Sequence, residues 1–294
     1  MVSAIITTHN RTCSILRRAI DSVIKQTYTG IEIIVVDDSS PSFEDRTNVI
    51  NMMKNEYPMV KYILHDRCLG ACASRNDGIK ISRGEYVAFL DDDDEWLPEK
   101  TQIQIEILEK HQDAALVYCD YYVIEEGKKE KKIHNKKESS NDLLYDLFLD
   151  NIVGGTSFPL IRKTNLINVG MFDPEMPQAQ DYDLWIRLAR KYDFQYINKP
   201  LVNYYIHSGE QITKNIDRII IGQQKIIEKN MDLLLQNKYL YWKRLSGLPP
   251  LYAKKRRPIK ALSTLKHMIL LQPGRIFDNI RCIANTISNM IRIF

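Results

Sequence analysis

The chain has 294 residues, 44% of them hydrophobic and 27% charged, a globular composition long enough for one large domain or one domain with a smaller companion. No run approaches the ~18 apolar residues of a membrane span, and MVSAIITTHN is too short in its apolar part, and lacks the basic flank, to read as a secretory signal. The net charge of +4 is unevenly spread: from Lys238 onward twelve Lys and Arg face one acid, Asp278, while the preceding residues hold 29 basic and 36 acidic side chains.

Residues 2–7, VSAIIT, read as a buried strand. Ile15, Leu16, Ala19, Ile20, Val23 and Ile24 then recur at helical spacing after the break at HNR. IEIIVV (31–36) is a second β-branched run, closed by Asp-Asp-Ser-Ser-Pro. A helix over 43–56, a strand over VKYIL (60–64), a helix ending in RNDGIKI and a strand at YVAFL follow. WLPEKTQIQIEILEKH opens a helix with Pro98 near its first turn, and AALVYCDYYVI (114–124) is strand-like. The charged stretch 127–141 reads as a solvated loop, 143–153 as a helix, GGTSFPLIRK as a short strand and DYDLWIRLARKY as an amphipathic helix. Past Ile216 the pattern is helical, interrupted at GLPPLY and QPGR. The five cysteines, Cys13, Cys68, Cys72, Cys119 and Cys282, are odd in number and form no CxxC pair, which suits reduced thiols in a cytoplasmic protein.

Strands that are continuous apolar runs alternating with helices predict an α/β fold, a mostly parallel sheet flanked by helices. Ligands of such sheets bind outside the carboxyl ends of the strands. The polar clusters HNR, DDSS and DDDD each follow directly on a strand, so all three are expected along one edge.

The four aspartates Asp91–Asp94 carry the sharpest chemistry. In an extended or turning chain alternate residues point the same way, so Asp91 and Asp93 can converge on one cation while Asp92 and Asp94 face elsewhere. Oxygen-only ligands suit Mg²⁺ or Mn²⁺ completed by water and substrate phosphates. The run lacks the spaced acids and the glycine of an EF-hand; a plain solvated acidic turn is the bland alternative. In VVDDSSPS, Asp38 or Ser39 could cap a helix, or Asp38 could accept a hydrogen bond from a ligand N–H such as a uracil imide. LGACASRNDGI pairs small residues, which allow close approach to backbone, with Arg75, a fork suited to diphosphate.

TTHNR, VVDDSS, GACASRNDGI, FLDDDDEWLPEK and QDYDLWIRLA occur in that order and at fitting intervals over about residues 1–210. Together they resemble the family 2 glycosyltransferases, which carry the GT-A fold and use nucleotide-diphosphate sugars. The resemblance implies that Thr8, His9, Asn10 and Arg11 border the nucleotide, that Asp38 contacts uracil, and that Arg75 and Asn76 lie near the base and diphosphate. It implies Asp91 and Asp93 as the DxD metal pair, Asp92 for ribose or donor sugar, and His207 beside metal or diphosphate. Asp94 is expected to be structural, an N-cap for the helix at Trp96. The family's Glu-Asp-x-Asp-Leu-Trp reads Gln180-Asp181-Tyr182-Asp183-Leu184-Trp185 here. Asp181 keeps the place of the general base, Gln180 departs from the commoner acid, and Asp183 supports the loop.

The implied activity is inverting, metal-dependent sugar transfer from a nucleotide-diphosphate donor, a UDP-sugar in the first instance. The acceptor is a glycan or a lipid-linked one, in cell-surface polysaccharide synthesis. The rivals are a nucleotidyltransferase, which would need a Gly-rich loop with lysine where HNRTCS stands, and a non-catalytic nucleotide-sugar-binding module.

Residues 1–212 are expected to form the catalytic domain and 213–294 a basic helical extension. In the latter, Ile276, Ile280, Ile283, Ile287, Met290 and Phe294 make one apolar stripe, with KKRRPIK (254–260) upstream. A basic amphipathic region beside an acidic body predicts an anionic membrane surface as partner, at the inner face of the plasma membrane; the alternative is a helical subdomain packed on the catalytic domain. No aromatic interleaving or binding motif accompanies the charge, so nucleic acid is not expected.

Overall fold

The computed structural model describes residues 1–125, 128–132, 142–206 and 215–291. Two compact units divide the chain. The first comprises Met1–Leu143, Ile152–Pro174 and Leu184–Ser208; the second comprises Leu144–Asn151, Glu175–Asp183 and Gly209–Phe294.

The first unit is built on one sheet. In chain order it runs β1 (Val2–Thr8), α1 (Cys13–Ile24), β2 (Ile31–Asp37), α2 (Arg46–Glu56), β3 (Lys61–Leu64), α3 (Ala71–Ile81) and β4 (Tyr86–Asp91). After these come β5 (Glu95–Trp96), α4 (Lys100–Lys110), β6 (Ala114–Glu125), β7 (Lys128–Lys132), α5 (Leu143–Leu149), β8 (Leu160–Arg162), α6 (Lys163–Asn168), α7 (Gln180–Ala189) and β9 (Asp193–Tyr205), of which α5 from Leu144 onward and Gln180–Asp183 of α7 belong to the second unit. Among the described residues the strand order is β3-β2-β1-β4-β8-β6-β9-β5, with β7 on β6. The first four strands are mutually parallel, and Val2, Ala4, Ile5, Ile6, Ile34, Val35, Val87 and Leu90 are buried on both faces, as a strand covered by helices on either side requires. Beyond β4 the sheet is mixed: β8 enters antiparallel between β4 and β6, β9 runs parallel to β6, and β5 closes antiparallel on β9.

Three local expectations are corrected. Lys128–Lys132, read as part of a solvated loop, forms β7 on β6. The three-residue β8 covers β6 only at Leu116 and Val117, and β7 supplies partners to the backbone groups of Tyr121–Glu125 that β8 leaves uncovered. The helix expected from Trp96 begins at Lys100, because Glu95 and Trp96 pair with Asn203 and Val202. The helix expected over 143–153 ends at Leu149.

Close packing of α3 on β1 is set by Gly78. A Cβ there would stand 2.5 Å from Ile5 Cγ2, so the smallest residue lets the helix approach the strand. Trp96, buried, donates from Nε1 to Ser157 O at 3.1 Å and lies 4.2 Å from the Lys100 ammonium, itself wholly buried and bonded to Gln104 Oε1 at 2.7 Å. Burial pushes the Lys100 ammonium down to about 8.

The second unit is helical: α8 (Ile216–Lys229), α9 (Met231–Gln236), α10 (Lys238–Ser246), α11 (Leu248–Lys254), α12 (Pro258–Leu271) and α13 (Ile276–Ile291). Arg244 ties in its earlier segments, donating to Tyr182 Oη at 3.0 Å and to Leu149 O at 3.1 Å. The apolar stripe expected on α13 is divided. Asn279, Cys282 and Thr286 are buried, whereas Ile276, Ile280 and Ile287 are exposed. Polar residues occupy the inward face because each is satisfied there. Asn279 accepts from Trp242 Nε1 at 2.9 Å and donates to Gln272 O at 3.1 Å, and Thr286 donates to Cys282 O at 2.8 Å. Phe294 lies outside the described residues.

Candidate active site

Strand register brings the polar clusters to one edge. Thr8 is paired with Asp37, Asp37 with Leu64, and Thr7 with Asp91. The residues that follow, His9–Arg11, Asp38–Ser39, His65–Gly70 and Asp92–Asp94, therefore all leave the sheet at its carboxyl edge.

Asp91–Asp94 form a turn closed by Asp94 N–H donating to Asp91 O at 3.0 Å. Their exposure alternates. Side chains of Asp91 and Asp93 are 36% and 23% exposed, and that of Asp92 is 8%; Asp94 is buried. Asp91 Oδ1 accepts from Arg75 at 2.9 Å and from the Thr156 hydroxyl at 3.1 Å. Asp93 Oδ2 accepts from Arg11 at 2.7 Å. Asp92 accepts from Arg11 Nε at 3.0 Å, from His9 N–H at 3.3 Å and from the Thr8 hydroxyl. Burial pushes the Asp92 carboxyl up to about 6, against the opposing charge of Arg11.

Asp94 caps no helix. It accepts from Ser157 Oγ at 2.6 Å and from Tyr205 N–H at 3.2 Å, so it fastens the turn to β9 and to the segment before β8. Burial and the neighbouring Asp91 hold its carboxyl well above the usual range.

The β1 and β2 loops are stitched together. Asn10, in the left-handed region at φ 52°, a conformation asparagine tolerates, donates its N–H to Ser39 Oγ at 2.8 Å and accepts from Ser40 N–H at 2.9 Å. His9 Nδ1 meets Asp38 O at 2.7 Å.

Asp38 is buried, and its carboxylate accepts from Leu69 N–H at 2.7 Å, Gly70 N–H at 2.8 Å and, at 2.8 Å, lies on His65 Nδ1. Of the roughly four lone-pair directions of a carboxylate, three are taken within the protein. Gly70, at φ 90°, turns the chain into α3. Asn76 is buried. Its carboxamide clasps the backbone of Phe172, donating to Phe172 O at 2.8 Å and accepting from Phe172 N–H at 3.0 Å.

Thr8, His9, Asn10, Arg11, Asp38, Arg75 and Asp91–Asp93 are thus gathered in the first unit. Asp181 belongs to the second unit, half-buried in the first turn of α7, where its Oδ1 accepts from Tyr182 N–H at 2.8 Å. Ala179 just before it sits at φ 59°, a strained conformation for a residue with a Cβ. Gln180 turns back to Met176 O at 3.1 Å, and buried Asp183 is paired with Lys229 at 2.5 Å. His207 lies outside the described residues.

Two site residues escaped the sequence reading. Arg18 donates to Asp93 O at 2.7 Å while its guanidinium stacks 3.7 Å above the Tyr205 ring, and Ser157 holds both Asp94 and, at 3.1 Å, the Asp91 N–H. Arg18 lies on α1, and nothing local marks either it or Ser157.

The chain can be placed among known proteins. It is 30% identical over 230 residues to the Escherichia coli UDP-Glc:alpha-D-GlcNAc-diphosphoundecaprenol beta-1,3-glucosyltransferase WfaP, covering 78% of this chain and 86% of that one. It is 28% identical over 225 residues to the amylovoran biosynthesis glycosyltransferase AmsB of Erwinia amylovora, covering 71% and 73%. Its fold matches the crystal structure of S. aureus TarS 1–349 in complex with UDP-GlcNAc at a TM-score of 0.69 and 17% identity, over 98% of this chain and 89% of that one. The profile of Glycosyl transferase family 2 matches residues 3–171, and with this GT-A architecture the chain belongs to that family.

Proposed function

We propose that the chain transfers a sugar, with inversion, from a nucleotide-diphosphate donor to a glycan or lipid-linked acceptor in cell-surface polysaccharide synthesis. The observation that carries the reading is the alternation of the aspartate turn. It leaves Asp91 and Asp93 on the open side, each against an arginine, and commits Asp92 and Asp94 inward. A UDP-sugar is the favoured donor. Support comes from the similarity to WfaP, whose name specifies UDP-Glc, and from the fold shared with TarS in complex with UDP-GlcNAc. AmsB supports the link to polysaccharide synthesis.

Asp91 and Asp93 offer oxygen ligands only, and among the described residues no cluster of three or more His, Cys, Asp or Glu completes a cage. Such a pair fits Mg²⁺ or Mn²⁺ shared with substrate phosphates, better than a metal held by protein alone. His207 is the further residue assigned to it. The ion, when bound, neutralises charge on the departing nucleoside diphosphate. Arg11 and Arg75, now paired to the acids, present forks that can turn to diphosphate oxygens. Thr8, His9 and Asn10 border the nucleotide, Asp92 acts on the ribose or sugar side by fixing the His9–Arg11 loop it accepts from, and Asp38 offers its remaining lone pair to the base imide. Asp181 takes the proton of the acceptor hydroxyl as that oxygen attacks the anomeric carbon and the sugar–phosphate bond breaks.

The test is a screen of UDP-, GDP- and dTDP-sugars with and without Mn²⁺, read by thermal shift and donor hydrolysis. Asp93→Ala removes the metal-dependent shift; Asp181→Asn keeps binding and loses turnover. Absence of any metal-dependent nucleotide-sugar binding refutes the reading, and normal transfer by Asp181→Asn refutes the base assignment.

A further inference from the structure

The last two helices of the second unit leave an apolar surface uncovered. On α12, Ala261, Leu265 and Met268 are buried while Ile259, Leu262 and Leu270 are 83%, 60% and 71% exposed. On α13, Ile276, Phe277 and Ile280 are 61%, 88% and 56% exposed. At 3.6 residues per turn these three, with exposed Ile287, fall within one arc of roughly 100°. That arc is distinct from the inward side held by Asn279, Cys282 and Thr286. Leu270, Ile276 and Phe277 bracket the short turn between the helices, so three of the uncovered residues meet at one elbow.

Cations lie along these helices and just before them. Lys254, Lys260, Lys266 and Arg281 are exposed. Lys255 and Arg257 are engaged by Asp217 at 2.6 and 2.9 Å, and Arg275 by Asp278 at 2.8 Å. Asp278 is the one acid among described residues 238–291. Lys266 lies within the arc that Leu262, Ile259 and Leu270 define on α12, where its stem can cover apolar surface while its ammonium reaches outward.

We propose that the α12–α13 elbow docks on an anionic bilayer surface, its aliphatic and Phe277 side chains entering the headgroup–acyl boundary and Lys260, Lys266 and Arg281 meeting lipid phosphates. Exposed Ile, Leu and Phe interleaved with Lys and Arg have the chemistry of an interfacial helix. No described helix is long and apolar enough to cross a membrane, so the contact lies in the surface plane. A second copy of the chain is a poorer occupant, since a two-fold contact through this surface sets its cations against themselves.

Flotation of the full chain tests this, with vesicles of phosphatidylcholine alone and of phosphatidylcholine mixed with phosphatidylglycerol. The chain floats with the anionic vesicles only, and less at high salt. Lys260→Gln, Lys266→Gln and Arg281→Gln combined lower the partition coefficient roughly a hundredfold, at about fivefold per cation removed. Leu270→Ser, Ile276→Ser and Phe277→Ser combined abolish flotation at unchanged charge. Both variants keep the wild-type melting temperature, because every residue changed is exposed. Equal flotation with neutral vesicles, no flotation, or flotation indifferent to both variants overturns the proposal. So does a wild-type dimer that the serine variant converts to monomer, which assigns the surface to a second copy. The readout is lipid binding alone, independent of sugar transfer.

Discussion

Replacing Asp38 by asparagine probes how the site is held. Asp38 Oδ1 receives Leu69 N–H and lies on His65 Nδ1, and Oδ2 receives Gly70 N–H. With the amide oxygen in the Oδ1 position, two hydrogen bonds lose their charge assistance, at about 1 kcal/mol each. The amide nitrogen then confronts Gly70 N–H, donor against donor, and that bond is lost. Gly70 is exposed, so water satisfies its freed N–H and that lost bond adds only about 1 kcal/mol, for a total of about 3 kcal/mol. For a folding unit of this size that is about 6–12 °C in melting temperature. Because residues 65–70 lead into α3 and Arg75, UDP affinity falls together with stability. Thermal denaturation followed by circular dichroism, paired with calorimetric UDP titration, reads both. An Asp38→Asn melting temperature within 1 °C of wild type (about 0.3 kcal/mol) refutes the loop-holding role, and a selective loss of UDP binding would leave base contact as the residue's function.

Three further predictions follow from the packing. Burial alone would raise the Glu32 carboxyl, but Lys61, Ser3 and the Arg83 N–H bring it from 4.5 down to about 2. Its folded value lies below its unfolded one, so its contribution is complete above about 4.5 and fades as pH falls toward about 2. The group is partly solvated, so about 1–2 kcal/mol is expected after screening, seen as a wild-type minus Glu32→Gln difference in melting temperature that shrinks below pH 4.5 and vanishes only as pH falls through about 2. Asn76→Ala leaves Phe172 N–H and C=O without their clasp in a buried setting and costs about 2–4 kcal/mol, read as a lower urea midpoint at unchanged slope. Gly78→Ala drives a Cβ into Ile5 Cγ2, an atom on a β-branched side chain with little freedom. The ~1 kcal/mol of helix propensity gained is outweighed by ~1–3 kcal/mol of overpacking, so the variant unfolds faster or at lower urea.

The parallel half of the sheet and the carboxyl-edge clustering were legible because each rests on local pattern: VSAIIT, IEIIVV and YVAFL are short, mainly apolar β-formers with a polar cluster close behind each. Order beyond β4 was not, since β8 and β5 have three and two residues and are strands only by virtue of their neighbours. The same distinction runs through the site. The outward placement of Asp91 and Asp93 follows from a period of two, visible in four letters. The anchorage of Asp94 by Ser157 spans 63 positions and that of Asn76 by Phe172 spans 96, distances at which sequence carries no pairing signal. The backbone partner of Asn76 is accordingly invisible in the sequence.

The alternating turn has a consequence for how this gene can drift. The loss of one of the four aspartates leaves a segment that still looks acidic. If β4 keeps its register, Glu95 would then move into the inward seat beside Ser157 and Trp96 would be carried to the outward, solvent-facing one. A longer acid would be forced into a dry pocket while the large anchor of the turn was lost from the interior, so a change nearly silent in composition would break the inward scaffold and leave both open-side acids, at 91 and 93, in place.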